Sequence, residues 1–189
     1  MKSNQYKLIL YAFMLLSVIW ACKKDEDQVK LPPSILNSPE LITSMVLRFT
    51  DSTNISNIIF AEFRDPDGRG GNSYTKFDSI KLSSNKTYFL NVIILDETKN
   101  PLDTISKEIL KEAKDHLFCF TPLGSSAVVT ITDKDENNNP VGLQSKWRTS
   151  SAGNGFMKIV LKHQANGLKN GTCSPGETDI EVNFNTKIQ

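Results

Sequence analysis

The sequence predicts an all-β fold: an immunoglobulin-like antiparallel β-sandwich of about eight strands with one inserted α-helix. Three observations predict it. Beyond residue 41, apolar and polar residues alternate through most of the chain, the period of a strand with one buried face. Polar turns rich in Asn, Asp, Ser and Gly separate these runs. Only residues 103–117 carry apolar side chains at helical spacing. Two packed sheets joined by short turns bury such a pattern.

The elements follow in order. Residues 41–50 place Met45, Leu47 and Phe49 on one face. In a second strand, Ile58, Phe60 and Glu62 alternate with Ile59, Ala61 and Phe63. Residues 77–82 form a short third strand with Ile80 and Leu82 apolar, and Ser83, Ser84, Asn85 and Lys86 form a turn. Residues 87–95 make the strongest strand. Tyr88, Leu90, Val92 and Ile94 face one way and Phe89, Ile93 and Leu95 the other, which predicts a central position. The helix carries Ile105, Ile109, Leu110, Ala113 and Leu117 on its apolar side, with Asp103 or Thr104 as its cap, and covers an end or edge of the sheets. Strands resume at 117–121, 127–132, 141–150 and 156–164. The last, 178–188, turns Ile180, Val182 and Phe184 inward.

The N-terminus predicts an address. Lys2 and Lys7 precede an apolar run from Leu8 to Trp20, which at 13 residues is shorter than the roughly 20 a membrane-spanning helix needs. This is the h-region of a signal peptide over residues 1–21. Ile19-Trp20-Ala21-Cys22 resembles a lipobox, with Cys22 as the acylated first residue of the mature chain. Lys24 followed by Asp25-Glu26-Asp27 resembles the export signal that sends Bacteroidota lipoproteins to the outer face of the outer membrane. Residues 22–40, with Pro32, Pro33 and Pro39, read as an extended tether to a β-sandwich domain at 41–189.

Removing residues 1–21 takes away Lys2 and Lys7. The 22 basic residues become 20 against 21 acidic ones, a net charge of −1. No charge excess points to nucleic acid. With Cys22 lipidated, Cys119 and Cys173 are left, in an oxidising compartment, either to form one disulfide or to stand as separate thiols.

Candidate ligand groups are few. Asp65 and Asp67 in Asp65-Pro66-Asp67-Gly68, and Asp133, Asp135 and Asn137 further on, place oxygen ligands at alternating positions, as calcium loops do. Neither run has the closing bidentate Glu, and both read first as turns. His116 and His163 are the only histidines; with Asp115 they could form a metal site if their strands are neighbours. His116 also falls at the predicted helix C-terminus, where an imidazolium suits the dipole. No nucleophile elbow, H-E-x-x-H, P-loop or dinucleotide motif occurs, so the chain reads as a non-enzyme without a cofactor.

Several motifs recur together: Phe63-Arg64-Asp65-Pro66-Asp67-Gly68, Asp96-Glu97-Thr98-Lys99-Asn100-Pro101, Asp115-His116, Leu161-Lys162-His163, and Gly176-Glu177-Thr178-Asp179-Ile180-Glu181-Val182-Asn183-Phe184. In this order they resemble an uncharacterised family of small lipoproteins of the Bacteroidota, flavobacterial in type, often named "type 1 periplasmic-binding fold superfamily protein". That fold alternates strands and helices over a much longer chain, whereas one helix stands among strands here. The resemblance implies an envelope lipoprotein and no known activity. The expected function is a non-enzymatic binding or accessory module, lipid-anchored in the outer membrane and exposed at the cell surface. Its partner would be an outer-membrane receptor or an extracellular ligand. The alternative is metal capture by the two histidines and nearby carboxylates.

Overall fold

Residues 41–189, apart from Arg69, are described by a computed structural model. The predicted signal peptide, Cys22 and the tether lie outside the described residues. The chain forms β1 (Ser44–Asp51), β2 (Asn54–Arg64), β3 (Lys76–Phe77), β4 (Ile80–Leu82), β5 (Thr87–Leu95) and α1 (Ile105–Lys111). After the helix come β6 (His116–Leu123), β7 (Ala127–Ile131), β8 (Gln144–Thr149), β9 (Gly153–His163) and β10 (Glu177–Ile188). One sheet has the order β3-β2-β1-β5-β8-β7 and the other β4-β10-β9-β6. Among the described residues the observed architecture is therefore an all-β sandwich with a single helix.

Alternation decides which face of each strand is dry. Met45, Leu47 and Phe49 of β1, Tyr88, Leu90, Val92 and Ile94 of β5, and Trp147 of β8 meet Met157, Ile159 and Leu161 of β9 and Ile180, Val182 and Phe184 of β10. The two sheets interlock through edge-to-face aromatic pairs: Phe120 against Trp147 at 5.9 Å and Phe77 against Phe184 at 5.5 Å. Burying side chains of this size contributes about 1.5–3 kcal/mol each. The one polar atom of the Trp147 ring is satisfied locally, its Nε1–H donating to Ser145 Oγ at 2.9 Å.

Three elements differ from expectation. The run 77–82 is split, because Asp78 folds back on β2. Its N–H donates to the Glu62 carbonyl, and its carboxylate accepts the Glu62 N–H. β4 then crosses to the other sheet and pairs with β10 in parallel, the one departure from antiparallel pairing among the described strands. β5 is central in hydrogen bonding, between β1 and β8. Its outer face is nevertheless open at Phe89. The helix ends at Lys111 rather than 117, and Thr104 caps it without a side-chain hydrogen bond. The chain has to turn out of the helix for His116 to start β6.

That turn leaves helix-end carbonyls without intrahelical partners. Three carbonyls in the turn just past the helix find partners from other parts of the chain. His116 Nδ1 lies 3.1 Å from the Glu112 oxygen, Lys169 Nζ donates to the Ala113 oxygen at 2.6 Å, and the Gln164 N–H donates to the Asp115 oxygen. The helix end is thereby tied to β6 and to the connection between β9 and β10.

Candidate functional site

The two histidines are brought together by pairing of β6 with β9. His116, first in β6, is the direct cross-strand partner of His163, last in β9. Phe118 and Leu161, two residues inward, face the core, so strand alternation turns both imidazoles toward the space between the sheets. The ring centroids are 4.7 Å apart. The carboxylate that joins them is Asp179, not Asp115. One atom from each of His116, His163 and Asp179 lies within 4.8 Å of the others.

Asp179 arrives through a register shift in β10. Thr178 pairs with Lys162 and Ile180 with Leu161, so Asp179 is an extra residue without a partner on β9. Such a bulge re-aims a side chain. Strict alternation would give Asp179 to solvent, which is how the sequence reads. Glu177 and Thr178 also differ from their surroundings in no way that would flag a bulge. The group is largely dry. His116 is 2% exposed, and the side chains of His163 and Asp179 are 18% and 10% exposed. Burial pushes the His116 pKa down, opposed by its backbone partner at Glu112. Burial pushes Asp179 up, opposed by the two imidazoles. The sequence places His116 at a helix end as a cation. It does touch the helix end, but as a buried ring whose surroundings favour the neutral form.

In each Asp-rich loop at least one carboxylate closes the loop on its own backbone. Asp67 Oδ2 accepts the Asn72 N–H and side-chain amide, each at 2.7 Å. Burial, followed by the neighbouring Asp67, raises the Asp65 pKa. Asp133 Oδ1 accepts the Gly142 N–H, and Asp135 Oδ1 accepts the N–H groups of Asn137 and Asn139. Asn137 contributes its backbone rather than its side-chain oxygen to these bonds. The other oxygen of Asp135 faces the Lys169 ammonium at 3.0 Å, and both side chains are almost fully buried. Burial alone would raise the Asp135 pKa, but Lys169 and the loop N–H groups outweigh it and hold the carboxyl below its usual range. Lys169 supplies this loop with the positive charge that a calcium ion would bring.

Cys119 and Cys173 are joined by a disulfide, with Cα atoms 6.0 Å apart. It ties the β9–β10 connection to β6. That connection starts at His163 and ends just before Asp179, so the disulfide, the Lys169–Asp135 pair and the buried Gln164 brace the segment between two members of the cluster. Gln164 Nε2 donates to the carbonyls of Thr172 and Pro175. At Gly176, φ is 82° and a Cβ would run into the His163 carbonyl, so glycine is required beside the cluster.

A second feature lies on β2. It pairs with β1 from Ile58 to Arg64 and again at Asn54, with a register shift at 55–57, and β3 covers its other side only at Phe63 and Arg64. Among the described residues, the outer edge of 54–61 has no partner strand. Its sequence, Asn54-Ile55-Ser56-Asn57-Ile58-Ile59-Phe60-Ala61, has no charge and no proline. Ile55 is 76% and Phe60 55% exposed, and Phe89 of β5 continues the apolar surface on the sheet's outer face.

Among the described residues no helix is long and apolar enough to cross a membrane. Comparison with protein-family models, with curated proteins and with solved structures finds no match for this chain.

Proposed function

We propose that this chain is a non-enzymatic binding module of the cell envelope, held by lipid on Cys22 in the outer membrane and exposed at the cell surface. It takes up an extended segment of a partner protein along β2. The observation that carries this reading is the open edge at 54–61. Natural sheets blunt such edges with lysine, proline, bulges or a covering loop, because unpaired N–H and C=O groups template further strands. Neither lysine nor proline stands in 54–61, and the one irregularity, where β2 loses register with β1, is confined to residues 55–57. Strand addition uses such an edge: main-chain hydrogen bonds supply affinity, and alternate side chains supply specificity. Ile58 and Phe60, both on the outer face, would set that specificity, with Arg48 and Thr50 of β1 as their cross-strand neighbours.

A photo-crosslinking residue at Ile55, used in intact cells, tests it. The expected result is a discrete adduct with one envelope protein, reduced at least tenfold by Phe60→Lys, which adds a charge to the edge without touching the core. An adduct of equal yield with Phe60→Lys, or none at all, would count against the reading. Protease shaving of whole cells checks the location separately, since digestion without lysis requires surface exposure.

A further inference from the structure

We infer that His116, His163 and Asp179 form a binding site for a divalent transition-metal ion of the zinc and copper class, where β6, β9 and β10 meet at one end of the sandwich. Four observations carry this, and none depends on the β2 reading.

The first is orientation. His116 Nδ1 lies 3.1 Å from the Glu112 carbonyl oxygen, and only an Nδ1–H can make that contact favourable. The neutral ring then carries its lone pair on Nε2. Histidines that bind metals are oriented in this way, with the second ring nitrogen donating to a backbone carbonyl or a carboxylate.

The second is what the lone pair meets. His116 Nε2 stands 3.9 Å from Asp179 Oδ2, and His163 Nδ1 stands 4.0 Å from Asp179 Oδ1. Both separations exceed a hydrogen bond, which runs to about 3.2 Å. Among the described residues the Asp179 carboxylate and the His163 ring have no other hydrogen-bond partner. Three potential ligand groups thus converge in a mostly dry place, and the nearby Lys162 ammonium is held by the Gly176 carbonyl and the Thr178 hydroxyl. Buried polar groups of this kind are costly unless paired or bound to a metal.

The third is construction. Asp179 is present only because β10 carries an extra residue there. A regular ladder would have turned Asp179 out to water, away from the two imidazoles. The braces on the β9–β10 connection hold His163 and Asp179 at its two ends, and the helix end holds His116.

The fourth is chemistry. Two imidazoles and one carboxylate are borderline donors that suit zinc or copper; calcium and magnesium take oxygen alone. Bonds of about 2.0–2.2 Å to such an ion place tetrahedral ligands about 3.3–3.5 Å apart. The two histidine–carboxylate gaps exceed this by about half an ångström, and the three donor atoms all lie within 4.8 Å of one another, so side-chain rotations have to draw the group together on binding. Asp179 also lines a cavity of about 500 Å³ shared with Asp65, Glu177, Thr178 and Glu181. Neither histidine lines that cavity, so it touches the cluster only through Asp179.

The test uses the full chain, purified in detergent, stripped with a chelator and titrated with Zn²⁺ alone against a competing fluorescent chelator. One Zn²⁺ per chain is expected. His163→Gln and Asp179→Asn should each weaken binding at least tenfold, while Asp115→Asn leaves it unchanged. Cu²⁺ loaded in place of Zn²⁺ should show an electron paramagnetic resonance pattern split by two nitrogens in the wild type and by one in His163→Gln. Because His116 is buried, His116→Gln can perturb folding. The two more accessible positions therefore decide the outcome, with far-UV circular dichroism confirming that the metal-free variants are folded. Absence of stoichiometric binding, or folded His163→Gln and Asp179→Asn proteins that bind as the wild type does, would overturn the assignment.

Discussion

The loops at 65–72 and 133–142 look alike in sequence and differ in substance. Each presents carboxylates at alternating positions among turn residues. In the first, Asp67 is exposed and closes the loop on Asn72. In the second, Asp135 is buried, closes the loop on Asn137 and Asn139, and spends its remaining oxygen on Lys169 from the β9–β10 connection. The first loop is therefore a local turn. The second is a tertiary joint that locks the helix end, the 133–142 loop and the β9–β10 connection into one unit. Identical local chemistry stabilises a fold by very different amounts, according to whether water is excluded and whether a distant partner is recruited.

The largest test of this contrast is Lys169→Ala. It leaves Asp135 as a buried charge without its cation and the Ala113 carbonyl without its donor. We expect a loss of about 3–5 kcal/mol in urea unfolding. Asp67→Ala, in the exposed loop, is the matched control at about 1 kcal/mol or less. Similar losses from the two would mean that water reaches the Lys169–Asp135 pair and that the contrast does not hold.

Next in size is the disulfide, which braces the same connection. Replacing Cys119 and Cys173 together by serine should cost about 2–4 kcal/mol, since the bridge closes a long loop in the unfolded chain. The wild type with a reducing agent should match the double variant. If reduction does not change the melting temperature, the joint is held by Lys169 and Gln164 alone.

The smallest effect is in pH. The His116 pKa is depressed below 6.5, chiefly by burial, so the folded state binds fewer protons there than the unfolded state. Its contribution is fully present above about pH 6.5, the unfolded value, and is lost as pH falls from there through the lower folded value. The stability difference between wild type and His116→Gln should therefore narrow between pH 7.5 and 5.5 in metal-free protein. Asp179, whose pKa is raised by burial, works in the opposite sense: its contribution is present at low pH and lost as pH rises through its folded value. A gap that widens on acidification would show that His116 is charged in the folded state, and would remove the neutral ring on which the orientation argument rests.

The face of each strand is legible in the sequence wherever one side is dry. Met45, Leu47 and Phe49, and likewise Ile180, Val182 and Phe184, lie where a period of two puts them. The run 77–82 reads as one strand because nothing in its pattern records that Asp78 hydrogen-bonds to Glu62 and redirects the chain to the other sheet. The helix reads six residues too long because Ala113 and Leu117 continue its spacing, while the competing demand comes from β9, which takes His116 as a strand partner. Both histidines stand out by rarity. Asp115 takes the place of Asp179 in the sequence reading because proximity along the chain is the only distance a sequence offers.

The sequence by itself determined the alternating faces, the single helix, and a cysteine count that leaves one pair once Cys22 is set aside. These are local or compositional properties, set by side-chain polarity and backbone period. Only the tertiary structure decided that His116 faces His163, that a bulge turns Asp179 toward them, and that Lys169 rather than an ion neutralises Asp135. Each of these contacts joins residues far apart in the chain or depends on a one-residue register shift. Strand pairing and the exclusion of water choose among such arrangements, and neither is written in the spacing of residues.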